Sequence, residues 1–235
     1  MQEAWTLRVI AHIENDYVEK FGIPRQSGLV EQISRIVFVP EYRDANALRG
    51  LEGYSHLWLL WGFHANPARP WSPMVKPPRL GGNTRMGVFA TRSPHRPNPI
   101  GLSSVRLMGI RPVSGKGQVL LVQGADLMNG TPGYDIKPYL PYTDSHPEAQ
   151  SGFAGAVQGY RLTVDFPAEL RERIPQQSLA ALEELLAEDP RPAYQREKAE
   201  AYGLAYGAFD IRFRVEGERL CVTEVLPRAE APRVK

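Results

Sequence analysis

One cysteine, Cys221, serves a chain of 235 residues, which excludes an intrachain disulfide and fits a reducing, cytoplasmic setting. Long hydrophobic runs are also missing. The longest, Leu57 to Phe63, is broken by Gly62 and followed by His64, far short of the ~20 apolar residues a membrane-spanning helix requires. The N-terminal MQEAWTLRV has no basic stretch leading into an apolar one, so no secretory leader is expected. Acid is absent over a long interval. Between Glu52 and Asp126 there is no Asp or Glu, while Arg69, Lys76, Arg79, Arg85, Arg92, Arg96, Arg106, Arg111 and Lys116 all fall there. The overall net charge of +2 hides this segregation. An unneutralised basic segment suits a polyanionic partner, most simply nucleic acid, or else a solvated face paired with acids from elsewhere in the fold.

Several chemistries are missing as well. No GxGxxG follows a strand and opens a helix, which excludes a Rossmann-type pocket. RLGGNTRMG has glycines but lacks the Gly-Lys-Ser/Thr ending of a phosphate loop. No GxSxG marks a hydrolase elbow. The five histidines, His12, His56, His64, His95 and His146, are scattered, and a lone cysteine builds no zinc site, so no metal is expected.

What is present reads mainly as strands. Thr6–Ile13, Ile33–Val39, His56–Phe63, Gly87–Arg92, Leu102–Ile110 and Gln118–Gln123 are short, rich in β-branched and aromatic residues, and bounded by Gly or Pro. Val119–Val122 is apolar throughout, as in a strand covered on both faces. Such strands with long Pro/Gly loops predict a barrel or sandwich. The texture changes in the Pro, Gly, Ala and Ser-rich Ser145–Gly155, which places a domain boundary near residue 150: residues 1–150 form a β domain and 151–235 a small α+β domain. In the second unit a strand over Tyr160–Phe166 precedes a helix over Ser178–Glu188, with Leu179, Leu182, Leu185 and Leu186 on one side, stopped by Asp189-Pro190. A hairpin of Phe209–Val215 and Leu220–Leu226 follows. Period-two alternation sets Arg212 and Arg214 on the face opposite Ile211, Phe213 and Val215, a face suited to nucleic acid or simply to solvent.

Four patches carry candidate chemistry. GVFATRSPHRPNPIGL (Gly87–Leu102) holds Arg92, His95, Arg96 and Asn98 between prolines, which fix φ and lower the entropy lost on ordering a loop. FGIPRQSG presents Pro24, Arg25 and Gln26. GFHAN ends the strongest apolar strand with His64, Ala65 and Asn66. In DLMNGTPGYDIKPYLPY, Asp126 follows the buried-looking strand and Asp135 and Lys137 alternate onto one face. Each patch alone equally suits a turn or a surface pair.

Together and in this order, the stretches KFGIPRQSGLV, LRGLEGYSHLWLLWGFH, PPRLGGNTRMGVFATRSPHRPNPIGLS and DLMNGTPGYDIKPYLPYTD, followed by DPRPAYQ and FDIRFRV, resemble the TrmO family of tRNA methyltransferases, also described as the YaeB or VirR-type family. The resemblance implies a compact, non-Rossmann β-barrel that binds S-adenosylmethionine, a small α+β C-terminal domain, and a homodimer with the cofactor site near the subunit interface. It implies methylation of N6 of N6-threonylcarbamoyladenosine beside the tRNA anticodon. Cofactor contacts are then expected at Pro24, Arg25, Gln26, His64, Ala65, Arg92, Leu102, Asp126, Leu127, Met128 and Asn129. Asn129 stands where the family commonly has Asp, and Glu14-Asn15-Asp16 replaces a Ser-Pro turn. The acceptor nitrogen must lose a proton, for which Asp135 is the first candidate and His64 the second, with Lys137 steadying charge on the carbamoyl oxygen or pairing with the threonyl carboxylate. Arg96, Asn98, Arg212 and Arg214 are expected to meet tRNA, and Phe63 or Tyr139 to lie against the base. The rival readings are a non-enzymatic RNA-binding barrel and a cofactor-binding regulator.

Overall fold

The computed structural model describes residues 5–66, 70–77, 84–157, 159–191 and 200–228. Arg69 and Arg79 of the basic segment and Pro192–Gln195 of the DPRPAYQ motif lie outside the described residues.

The chain is mainly β. In the first half run β1 (Ala11–Glu14), β2 (Ile33–Phe38), β3 (His56–Gly62), β4 (Met74–Val75), β5 (Met86–Gly87), β6 (Ile100–Val113), β7 (Gly117–Gln123) and β8 (Pro132–Pro138), then a one-turn helix, α1 (Pro141–Asp144). Six of these strands pair in the ring β1-β2-β7-β6-β3-β8, and β8 returns to β1 through Ala11 opposite Gly133, closing a barrel. Every pairing in the ring is antiparallel. Closure depends on β6, whose first half pairs with β3 and whose second half pairs with β7. Its register shifts between Leu107 and Gly109, where Gly109 takes φ 146°, and such a bulge bends one strand enough to serve two neighbours.

Alternation along β3 fills the barrel. Leu57, Leu59 and Trp61 are buried and pack with Ile13, Ile36, Val105, Leu120, Val122 and Leu127, while Trp58 and Leu60 take the opposite face. Leu120 and Val122 are fully buried and Val119 is too, in keeping with the continuous apolar run.

The second half contains β9 (Thr163–Asp165), α2 (Ala168–Arg171), α3 (Gln176–Ala187), β10 (Tyr202–Tyr206), β11 (Phe209–Glu216) and β12 (Arg219–Pro227). The sheet order is β10-β11-β12-β9, with β9 parallel to β12. Leu182, Leu185 and Leu186 of α3 pack on Ile211, Phe213 and Leu220 of the hairpin. Arg212 and Arg214 are exposed on the other face of β11.

The connection from β1 to β2 belongs to both halves. It leaves the barrel at Glu14, yet Tyr17 and Val30 are buried in the second core, with Phe21 and Ile23 packed against it. Polar bonds follow the same route. Buried Gln32 accepts from the Tyr206 hydroxyl and donates to Asp16, Ala205 N donates to Glu19 at 2.7 Å, and Glu31 N donates to Glu184 at 2.6 Å.

Two strand expectations need correction, and two strands are added. Gly87–Arg92 is no strand: after the short β4–β5 pair, Val88–Ala90 forms a 3-10 turn closed by Thr91, whose hydroxyl and N–H both bond the Val88 carbonyl. The apolar residues there split, with Val88 buried and Phe89 72% exposed. The first strand begins at Ala11, since residues 5–8 are exposed and unpaired with the sheet. β8 and β10 were not anticipated. β8 opens with Pro132-Gly133 and is half-buried along most of its length, so it shows no period-two contrast.

Candidate functional site

A cleft of about 480 Å³ opens where four chain segments meet. These are the β1–β2 connection, the end of β3, the proline-rich loop that leads into β6, and the residues after β7. The size lies in the range of small-molecule sites, roughly 300–1,000 Å³.

Cations dominate the polar side of the lining: Lys20, Arg25, Arg92 and Arg96. Arg92 donates to the Gln26 side chain, tying the proline-rich loop to the β1–β2 connection. Arg96 is turned onto its own loop, donating to the Thr91 carbonyl at 2.9 Å with its guanidinium 6.0 Å from the Phe89 ring. Lys20 donates to Asn66 at 3.0 Å. The apolar wall comes from Trp58, Trp61, Phe63, Ile100 and Leu102, with Trp61 and Phe63 edge-to-face at 4.3 Å.

Among the described residues a single carboxylate, Asp126, faces this cationic lining. It ends a buried chain in which Trp61 Nε1 donates to Ser103 Oγ at 2.9 Å and Ser103 Oγ donates to Asp126 Oδ1 at 2.5 Å. Burial holds the Asp126 carboxyl above the ordinary carboxylate value, while the Ser103 bond and the charge of Arg92 pull it back toward ionisation. Gly101 makes room for the chain, because a Cβ there would lie 2.2 Å from the Trp61 ring. His64 sits at the mouth. Loss of solvent holds its imidazole below the ordinary histidine value, outweighing a hydrogen bond to the Gly62 carbonyl that favours the protonated ring, and the charges of His12 and Lys20 add to the lowering. The ring is therefore neutral near pH 7 and free to accept a proton.

The cleft brings together Pro24, Arg25, Gln26, His64, Ala65, Arg92, Leu102, Asp126 and Met128, together with Arg96. Leu127 and Asn129 are not in its lining. Leu127 is 3% exposed and packs in the barrel core, and Asn129 is exposed with its side-chain oxygen accepting from Asn15 N at 3.1 Å. Asn15 also donates to the Leu127 carbonyl at 2.8 Å. Asp135 and Lys137 lie outside the lining too. They form an ion pair at 2.8 Å on β8, opposite Leu60 and Trp58 of β3, so they share the outer barrel face with Trp58 at the cleft's edge. Tyr139 stacks at a tilt on Trp58 with centroids 5.5 Å apart. Asn98 is exposed on the proline-rich loop, and Arg212 and Arg214 are on the C-terminal sheet.

Sequence reasoning missed Ser103, Trp61 and Thr131. Ser103 is the one polar inward residue among the apolar inward positions of β6, an anomaly visible once the strand's phase is known. Among the described residues no group of three or more His, Cys, Asp or Glu side chains is placed to hold a metal, and no helix is long and apolar enough to cross a membrane.

A closed β-barrel with a cleft that sets cations and one carboxylate against an aromatic wall defines a binder of a polar, partly aromatic organic molecule. Family models agree on a narrower class. One for the tRNA-methyltransferase O N-terminal domain matches residues 12–145 and one for the TrmO C-terminal domain matches residues 159–228. The chain is a member of the TrmO family. It is 44% identical over 230 residues to the tRNA (adenine(37)-N6)-methyltransferase of Escherichia coli strain K12, covering 93% of this chain and 97% of that protein. A protein of the same name from Eikenella corrodens is 45% identical over 69% of this chain and 92% of its own length. The crystal structure of TrmO from P. aeruginosa superposes with a TM-score of 0.77 at 33% identity, covering 97% of this chain and 99% of that one.

Proposed function

We propose that this protein is an S-adenosylmethionine-dependent tRNA methyltransferase that acts on N6 of adenosine 37 carrying the threonylcarbamoyl group. The observation that carries this reading is the meeting of Pro24-Arg25-Gln26, His64-Ala65, Arg92, Leu102 and Asp126 in one cleft from distant parts of the chain. The names of its relatives support the tRNA acceptor and the position.

The residues present suit the cofactor. Arg92 offers a guanidinium fork to a carboxylate, Asp126 offers an acceptor to hydroxyls or to positive charge, and Trp61, Phe63 and Leu102 offer an apolar wall to an aromatic base. When bound, S-adenosylmethionine supplies an electrophilic methyl group for in-line displacement. The chain's own contribution is positioning and proton transfer. The prolines at 94, 97 and 99 fix the loop that bears Arg92 and Arg96. The neutral His64 imidazole takes the N6 proton at a ring nitrogen, because it stands in the cleft and is unprotonated at neutral pH. Asp135 and Lys137 act from the outer face beside Trp58, where the Lys137 ammonium meets the anionic threonyl group of the acceptor and Asp135 holds it in place. Tyr139 and Trp58 offer a stacking surface for an unpaired anticodon-loop base.

The reading includes a cytoplasmic homodimer. Ile100 and Leu102 in the cleft wall and Phe89 near it are exposed apolar side chains, and burial against a second copy would cover them. Sedimentation of the purified protein tests the dimer. Incubation of labelled S-adenosylmethionine with tRNA carrying or lacking the threonylcarbamoyl group tests the activity: label is expected only in the modified tRNA. Cofactor binding without transfer to either tRNA refutes the enzyme, and equal transfer to both refutes the acceptor.

A further inference from the structure

The C-terminal domain carries an ionic turn that stability alone does not account for. Asp189 follows α3 in a left-handed conformation, with φ 52°, and is the one non-glycine residue among those described with positive φ. That position after a helix ordinarily takes glycine or asparagine. Asp189 is 0% exposed and Arg191 1% exposed. The carboxylate grips Arg191 on three sides: Nε to Oδ1 at 2.8 Å, Nη2 to Oδ2 at 3.1 Å, and the backbone N–H to Oδ1 at 3.3 Å. The Arg191 guanidinium also lies 5.8 Å from the Tyr202 ring. A buried ion pair of this kind stabilises a fold no better than apolar packing does, and a strained backbone kept in place points to a task for the turn.

The task is visible on the turn's other side. The carbonyls of Arg191 and Asp189 both accept from Arg25 Nη2, at 2.9 and 3.4 Å. Arg25 lines the cleft in the barrel domain, more than 160 residues earlier in the chain. Its loop is braced against the same domain, since Gly22 (φ 85°) abuts Leu204 so closely that a Cβ would lie 2.2 Å from Leu204 Cδ1, and Phe21 and Ile23 pack on the C-terminal core.

We infer that Asp189 and Arg191 are positioning residues for the cofactor site: their buried fork freezes a turn whose two carbonyls aim the Arg25 guanidinium into the cleft. The inference rests on the reading of Arg25 as a cofactor residue. On this view the C-terminal domain forms part of the machinery that shapes the cofactor cleft. Arg25 reaches the cleft pre-aimed, so the bound molecule spends less binding energy on ordering it.

A double-mutant cycle on the full-length protein tests the coupling. Calorimetry with S-adenosylmethionine gives the affinity of Arg25→Ala, Asp189→Asn, Arg191→Lys and the two doubles with Arg25→Ala, and the melting temperature of each is recorded. Asn keeps the left-handed turn, and Lys keeps the charge but cannot form the fork. Each turn variant is expected to weaken binding by about tenfold with Arg25 present and by less than about twofold with Arg25→Ala. Unchanged affinity in Arg25→Ala alone refutes the role of Arg25. A loss in Arg25→Ala joined by equal turn-variant losses in both backgrounds, or by none in either, overturns the positioning role. A variant that fails to fold in both backgrounds also overturns it, because the turn then serves the fold independently of Arg25.

Discussion

Replacing Ser103 with alanine cuts the chain Trp61 Nε1–Ser103 Oγ–Asp126 Oδ1 at its middle. Ser103 is 1% exposed and Trp61 7% exposed, so little solvent reaches the indole N–H to replace the lost hydroxyl. Two costs follow. A hydrogen bond to a charged group contributes about 1.5–3 kcal/mol, and a buried donor left without an acceptor costs about 1–3 kcal/mol. The two share one hydroxyl and do not simply add, so Ser103→Ala should destabilise the protein by roughly 2–4 kcal/mol at pH 7. That corresponds to a melting temperature lower by roughly 5–15 °C for a chain of this size. The penalty also depends on pH. The Asp126 carboxyl is held above its unfolded value, so it favours the folded state at low pH, and this contribution is lost as pH rises from the ordinary carboxylate range through the raised value. The Ser103 bond offsets that loss by favouring the ionised form. The variant should therefore be hurt more at pH 7 than at pH 3, which lies below the ordinary carboxylate value, so that the raised Asp126 carboxyl is protonated there and the orphaned indole is the main remaining cost. Urea unfolding at the two pH values, with calorimetry of S-adenosylmethionine binding at pH 7, measures both effects. A penalty below about 0.5 kcal/mol at pH 7, or an identical one at both pH values, would refute the network as described.

Gly101→Ala should act on the same network by steric means, driving a methyl into the Trp61 ring; unfolding is expected to cost about 1–3 kcal/mol, and a neutral result would mean the ring has room to move. His64→Ala should lower the rate of single-turnover methylation at saturating cofactor by about 10²–10⁴, beyond any loss of cofactor affinity; full turnover would remove His64 as proton acceptor. Asp135→Ala should leave cofactor affinity intact and raise KM for tRNA through the freed Lys137, so a loss of kcat alone would restore Asp135 as the base. Changing Arg212 and Arg214 to Gln should flatten the log–log salt dependence of tRNA binding by about one per lost phosphate contact. An unchanged slope would remove the C-terminal sheet face from the footprint.

Several residues that line the cleft were legible in the sequence, because they sit in distinctive short motifs. PRQ, FHA, Arg92, Leu102 and Asp126 all reach one lining. The faces of the β11–β12 hairpin were legible for a different reason: alternation of apolar and charged residues states directly which side is buried. Motif membership alone could not separate neighbours within DLMN. Asp126 and Met128 face the cleft, whereas Leu127 turns into the core and Asn129 is claimed by Asn15.

The sequence by itself determined the strand-rich character, the family and most of the chemical groups at the site, since these follow from local pattern and motif. Tertiary structure decided the rest. It made Pro132–Pro138 the closing strand of a ring, set Asp135 and Lys137 beside the cleft instead of in it, placed Ser103 between Trp61 and Asp126, and set the carbonyls of residues 189 and 191 against Arg25. Each of these depends on residues far apart in the chain, and a backbone carbonyl or a half-buried strand carries no periodicity by which to announce its partner.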